Sequence, residues 1–350
     1  MSKLFLGNRE VSPAICVIGN VRHFIEKRKD ATNKLQKTDK IINLSGITDF
    51  GDYAIPYAYY CNNLVSGAAG FDSITTISGN YSCYYTFYSC PYITSTGMSN
   101  VSTITGSYAC ARMFGLCTAL NDTNLSSLTT ISGDYACQYM FYSCYPSLIG
   151  TNLNSLETIS GSYSCQQMFY NCTSLTDTNL DSLTVISGSN ACNSMFYGCT
   201  SLTDSGLTAL TQITNANGCY RMYYNCTKLE MIRLDELTTV SGATGCRQMF
   251  YGCTKIGTAS LDSLTTLTGS QALQQMFTGC TSLSTLSFPA LTSSSFGSYT
   301  NQFDNMLSGV TGCTVHFPSN LQAVIGNWTS VTGGFGGTST AVAFDLPATE

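Results

Sequence analysis

The sequence predicts a repeat solenoid of the α/β kind, about 27 residues per unit, each unit a short helix followed by one or two short parallel strands. Three observations predict it. Aligned on one cysteine, successive units place Cys61, Cys90, Cys117, Cys144, Cys172, Cys199, Cys226, Cys253 and Cys280 in a column, with Val310 as a degraded last member; from Cys90 to Cys280 the steps are 27, 27, 28, 27, 27, 27 and 27. A fixed period in this range marks a stack in which each unit buries its apolar face against its neighbours. Within each unit an apolar stripe has helical spacing, and after it the chain turns to Thr, Ser and spaced Leu and Ile.

The stripe defines the first element. Cys165, Met168, Phe169 and Cys172 fall at i, i+3, i+4 and i+7, one face of a 3.6-residue period. The same ladder of core residues is formed by Cys110, Met113, Phe114 and Cys117; Cys137, Met140, Phe141 and Cys144; Cys192, Met195, Phe196 and Cys199; and Cys246, Met249, Phe250 and Cys253. Cys83 with Cys90, and Cys219 and Met222 with Cys226, extend it. Asn80, Ser107, Asp134, Ser162 and Ser189 precede the first cysteine by three, as Ser270 precedes Leu273 in the same column, and all are helix-capping types. Asn171, Gly198, Asn225, Gly252 and Gly279 precede the second and tolerate the left-handed conformation that ends helices.

The second element is the stretch Thr173 to Gly188, with Leu175, Leu180, Leu183 and Ile186 apolar; β-branched residues and the closing glycine favour strands of about three residues. Strands stack about 4.8 Å apart and packed helices 8–10 Å, so the expected array curves with its strands on the tighter side.

The recurring run MFYGCTSLT (Met195 to Thr203), with MFYNCTSLT (Met168 to Thr176) and the preceding ISG, resembles the BspA-like class of leucine-rich repeat. The resemblance covers about Asn43 to Pro318 and implies a leucine-rich-repeat-like solenoid used for surface recognition or adhesion, with no catalytic residue. The present unit is about four residues longer than that class has, one extra helical turn, and carries Met where that class usually has Ala before Phe.

Three domains are expected: a basic N-terminal attachment segment over 1–40, the solenoid of about ten units over 41–310 with degenerate ends (AYYCNNL, Ala58 to Leu64, is a worn first unit), and a C-terminal cap over 311–350 holding Trp328. Residues 1–40 hold nine of the fifteen Lys/Arg against four acids, net +5, and the remaining six bases against sixteen acids give −10. This asymmetry fits either a solvated basic helix or a segment docked on an acidic partner. The basic run is short and poor in aromatics, which speaks against nucleic acid. No stretch has the length of apolar chain that crosses a membrane, and the start lacks a secretory signal, so a cytoplasmic origin or export within a particle is expected. The opening MSKLFLGNREVSPAI and the ending Thr314 to Pro347 resemble tail-associated proteins of gut bacteriophages. That implies a virion protein, contacting other virion proteins through its N-terminus, and leaves a homo-trimer open although no heptad seam is present.

Eighteen cysteines raise three readings: buried reduced thiols, disulfides, or metal. Cysteines seven apart on a helix lie about 10.5 Å apart, beyond disulfide reach, and helices packed side by side should also keep equivalent cysteines apart. Metal is disfavoured by the C-x6-C spacing and by only two histidines, His23 and His316. Reduced thiols acting as small hydrophobes are therefore expected, with no metal and no cofactor. A tyrosine column, Tyr142, Tyr170, Tyr197, Tyr224 and Tyr251, preceded by Tyr88, follows the buried aromatic by one residue; a second, Tyr81, Tyr108, Tyr135 and Tyr163, fades after four units. Either the rings wedge between helices with wet hydroxyls, or they form a ligand surface. Asp177, Thr178, Asn179 and Asp181, with Asp122, Thr123 and Asn124, offer further hydrogen-bonding groups to a glycan. No P-loop, triad or carboxylate pair stands out, so no enzyme is expected. The functional expectation is a phage tail-associated receptor-binding or fibre protein recognising host-surface glycan or protein, with a bacterial BspA-like adhesin and a purely structural virion decoration as alternatives.

Overall fold

The computed structural model describes residues 48–52, 71–296, 301–324, 334–338 and 340–348, Asp72 by its backbone alone, and the backbone of four strands within the first forty. AYYCNNL and Trp328 lie outside the described residues. From Phe71 onward the described residues form a parallel β-solenoid. Its main sheet is built from two-residue strands: β5 (Thr76–Ile77), β6 (Thr103–Ile104), β7 (Thr130–Ile131), β8 (Thr158–Ile159), β9 (Val185–Ile186), β10 (Gln212–Ile213), β11 (Thr239–Val240) and β13 (Thr266–Leu267). Each pairs in parallel with the equivalent strand one coil on, as Thr158 with Val185 and Ile159 with Ile186. In each pair the second residue points inward and is buried.

The helix expected in each unit is replaced by a ribbon of turns. Tyr163, Cys165, Gln167, Phe169 and Asn171 donate their N–H groups at 2.8–3.0 Å to the carbonyls of Ser189, Ala191, Asn193, Met195 and Tyr197 on the next coil. The alternate residues Ser164, Gln166, Met168, Tyr170 and Cys172 donate at 3.1–3.3 Å to the carbonyl three residues back. Half the donors thus close tight turns and half stitch coils together, so the ribbon leaves neither set unpaired. One residue in four is left-handed: Tyr163, Gln167 and Asn171 have φ of 55°, 54° and 57°. The resulting pattern puts two residues in and two out, and over eight residues a period of four shares i, i+3, i+4 and i+7 with a helix. Asn171, Gly198, Asn225, Gly252 and Gly279 are left-handed as expected, though they end a turn ribbon. Two of the presumed caps bridge coils instead: Asn80 Oδ1 accepts from the N–H of Ser107 at 2.9 Å, and Asp134 Oδ1 from that of Ser162 at 2.8 Å.

With a turn ribbon in place of the expected helix in the described units, the reason for curvature disappears, since ribbon and sheet share one spacing. The Phe ladder registers it: Phe114, Phe141, Phe169, Phe196, Tyr223, Phe250 and Phe277 stack ring on ring with centroids 5.1–5.7 Å apart. A second buried ladder, Leu175, Leu202, Leu229, Ile256 and Leu283, runs along the corner after the ribbon. On the third side the hydroxyls of Thr96, Thr123, Thr151, Thr178 and Ser205 donate to the carbonyls of Thr123, Thr151, Thr178, Ser205 and Ile232, one coil on. A glycine column sets the closeness of approach where sheet meets ribbon: a Cβ on Gly133, Gly161 or Gly188 would collide with the backbone of the glycine one coil earlier. The single 28-residue step is absorbed at one corner, where Cys144 and Leu148 are four apart, against three for Cys117 and Leu120; both pairs are buried, and strand register resumes at β8.

Near the C-terminus the parallel pairing continues on another side as β12 (Thr258–Ser260), β14 (Thr285–Ser287), β15 (Thr314–Pro318) and β16 (Ala341–Leu346), so coil stacking runs on into the residues expected as a cap. His316 on β15 meets Asp345 on β16 at 2.8 Å. At the other end, β1 (Leu4–Leu6), β2 (Arg9–Ile18), β3 (Val21–Lys29) and β4 (Leu35–Gln36) form an antiparallel sheet in sequence order. The solvated helix considered for this basic segment is not what the backbone adopts.

Candidate recognition face

The ribbon's inward residues are the predicted ladder. Cys83, Cys90, Cys110, Met113, Phe114, Cys117, Cys137, Met140, Phe141, Cys144, Cys165, Met168, Phe169, Cys172, Cys192, Met195, Phe196, Cys199, Cys219, Met222, Cys226, Cys246, Met249, Phe250 and Cys253 are all fully buried. Their thiols are free. The separation expected of packed helices is not what keeps them so. Equivalent residues on adjacent coils lie at sheet spacing, about 4.8 Å, inside the Cα range of a disulfide. In-register Cβ atoms stay as far apart as their backbones, however, wider than the 3.5–4.5 Å a disulfide favours. The second cysteine of each unit has its own partner: Cys172 Sγ donates to Phe141 O, Cys199 Sγ to Phe169 O and Cys226 Sγ to Phe196 O, each at 3.1 Å. Burial pushes the thiols of Cys165, Cys172, Cys246 and Cys280 up to about 12. Such thiols are neither nucleophiles nor ligands. Among the described residues, no group of three or more His, Cys, Asp or Glu is placed to hold a metal.

The ribbon's outward positions carry tyrosine, glutamine and arginine columns. The tyrosines do not wedge between helices; they stack on one another. Tyr142, Tyr170, Tyr197, Tyr224 and Tyr251 are half-buried, their centroids 5.6, 4.7, 4.7 and 4.4 Å apart. Tyr81, Tyr108, Tyr135 and Tyr163 form a parallel ladder at 4.9, 4.5 and 4.8 Å. Within a ladder the ring faces are occupied by neighbouring rings, so what reaches solvent is a row of edges and hydroxyls, with whole faces free only where a ladder breaks. Burial first, then the charge of neighbouring phenols, raises Tyr170 and Tyr224 above the ordinary phenol value. Between the ladders lie amide and arginine columns: Gln138 donates to Gln166 at 2.6 Å, Arg221 Nε to Gln248 at 2.6 Å, and Gln248 to Gln275 at 2.7 Å.

The polar residues of the third side are spent on structure. Thr123 and Thr178 are buried in the hydroxyl ladder, Asn179 Oδ1 accepts from Asn152 N–H at 3.0 Å, and Asp177 Oδ1 accepts from Asn179 N–H at 2.9 Å. Sequence reasoning missed Arg112, whose guanidinium carbon sits 5.3 Å and 4.6 Å from the rings of Tyr85 and Tyr139 on the flanking coils. The available signal was its place in an otherwise aromatic and amide column: Tyr85, Arg112, Tyr139, Gln167.

These features define a class: a parallel β-solenoid repeat protein with a tyrosine-laddered outer face. A family model described as "Mycoplasma protein of unknown function, DUF285" matches residues 82–210, 135–262 and 163–292, together spanning 82–292. That span exceeds half of the 350 residues, and the chain belongs to this DUF285 family. No curated protein matches the chain.

Proposed function

We propose that the solenoid is a non-catalytic recognition array displayed at a surface, binding glycan or protein on a cell through the ribbon face. The observation that carries this reading is the stacked, hydrogen-bonded outward display of tyrosine, glutamine and arginine columns, on a scaffold whose described ladder cysteines are buried and whose third-side polar groups bond within the stack. Aromatic and arginine side chains held at fixed positions lose little entropy on binding, which favours them at recognition surfaces.

The finer role we infer is that of a phage tail-associated receptor-binding protein, its N-terminal basic segment attached to other virion proteins. The charge split between residues 1–40 and the rest, and the resemblance of both ends to tail-associated proteins, support it. Membership of DUF285 favours the second reading, a bacterial surface adhesin. Retention of the purified full chain on intact cells across a panel of bacterial hosts tests recognition. Binding lost on deleting the units between residues 134 and 242 supports it; no retention on any host leaves a purely architectural role. Localisation of the chain in purified virions, or on the bacterial envelope, decides between phage protein and adhesin.

A further inference from the structure

The longer tyrosine column has a gap. Tyr88 and Tyr142 stand two coils apart in it, and the coil between them carries Gly115. A Cβ at Gly115 would come within 2.9 Å of Cδ2 and Cε2 of Tyr88, so the glycine lets that ring lie over bare backbone. Tyr142 stacks on Tyr170 on one side but faces the gap on the other, so its ring has no ladder partner there. The break opens a depression of about 360 Å³ lined by Tyr88, Arg112, Tyr139, Tyr142, Gln167 and Tyr170. That lies at the small end of the range for small-molecule sites.

Arg112 gives the depression its charge. Its guanidinium carbon lies over the rings of Tyr85 and Tyr139 on the two flanking coils, and its planar set of N–H donors is its means of bonding an oxygen ligand. Among the described residues no carboxylate is within ion-pairing distance of it, whereas Arg233 is paired with Asp204 at 3.0 Å and Arg221 is tied to Gln248 at 2.6 Å. A planar N–H edge matches the two oxygens of a carboxylate.

We propose that this depression binds a carboxylate-bearing sugar unit, its ring against Tyr142 and its carboxylate on the edge of Arg112, with the Gln167 amide beside it. The proposal rests on the recognition reading above and names its ligand class. A quaternary ammonium would suit the tyrosine walls but is repelled by Arg112. An acidic peptide added as a strand would need unpaired backbone groups, and the ribbon's N–H donors are committed to turns and to the next coil. A sugar needs neither: its C–H face packs on a ring, and its hydroxyls meet the phenols and the amide.

The test is titration of the full chain with trisaccharides ending in glucuronate, galacturonate or N-acetylneuraminate, each against its carboxyl-reduced counterpart. At least one acidic probe is expected to bind about tenfold tighter than its counterpart. Arg112→Gln should bring that preference to about one. The same column already carries Gln167, Gln248 and Gln275, so this variant keeps the fold. Gly115→Tyr, which fills the gap, should abolish binding; if it does not fold, Arg112→Gln alone decides. No preference for any acidic probe, or a preference that survives Arg112→Gln, overturns the proposal. Cell retention equal in wild type and Arg112→Gln, with no acidic preference, removes the ligand class and leaves recognition standing; acidic preference without cell retention does the reverse.

Discussion

Gly161 marks how tightly the coils approach. Its absent Cβ would strike the backbone of Gly133, so Gly161→Ala should destabilise by about 1–3 kcal/mol in denaturant unfolding. The neighbouring coils give a scale for relief, because Asn215 stands in the same column and is accommodated there. The ladder cysteines carry a second residue-level expectation. Burial raises the folded thiols of Cys165, Cys172, Cys246 and Cys280 from an ordinary value near 9 to about 12, so as pH rises the unfolded chain loses protons first. The stabilisation they contribute is complete below about pH 9 and falls progressively towards pH 12, by up to about 1.4 kcal/mol per pH unit for each such thiol. Melting temperature against pH should therefore drop steeply above pH 9, and thiol-labelling rates below it should track global unfolding. A flat alkaline profile would show that these thiols titrate freely. At this scale the sequence was legible: every Cys, Met and Phe assigned to the ladder from spacing alone is buried.

The ribbon is where sequence and structure part. Periods of 3.6 and 4 cannot be separated by four apolar positions in eight residues, and the propensity for capping types at one end and Asn or Gly at the other suits both. A distinguishing signal was present in the small residues before the first cysteine, Ser82, Ala109, Ala136, Ser164, Ala191, Gly218 and Gly245, and in Ala272 before Leu273 in the same column, all buried. A helix would carry that position about 100° off the apolar face, where no small residue is required. In the N-terminal segment Gly19-Asn20, between Val17-Ile18 and Val21, is a hairpin signal that stands beside the charge pattern. The ribbon also predicts its own improvement. Ser143 is left-handed, φ 53°, in the column where Gly198, Gly252 and Gly279 stand. Ser143→Gly should raise stability by about 0.5–1 kcal/mol by relieving that strain, whereas Gln167→Val, placing a β-branched residue at φ 54°, should cost at least about 1 kcal/mol. Both are read from urea unfolding.

As a whole molecule the solenoid is a sum of nearest-neighbour contacts. Removing one complete unit, residues 173–199, keeps every ladder in register and should leave a folded, shorter stack with a lowered melting temperature. Removing thirteen residues instead would slide inward positions outward and should abolish cooperative unfolding. The candidate face was partly legible for the same reason: Tyr142, Tyr170, Tyr197, Tyr224 and Tyr251 repeat, and repetition is what a sequence displays. The Arg112 depression was not, because it exists where repetition fails, at one glycine and one arginine that no periodicity flags.

The corner between Cys144 and Leu148 already holds one residue more than its neighbours while both flanking ladders stay intact. Backbone added there leaves the stacking of the coils undisturbed, so this edge is a natural graft point. A three-residue Gly-Ser insert after Tyr145 should cost about 1 kcal/mol or less, the scale of loop-closure entropy, while the same insert after Gln166 would tear the inter-coil stitching. Variation in length could accumulate along that edge coil by coil, giving related chains different projecting loops on an unchanged spine.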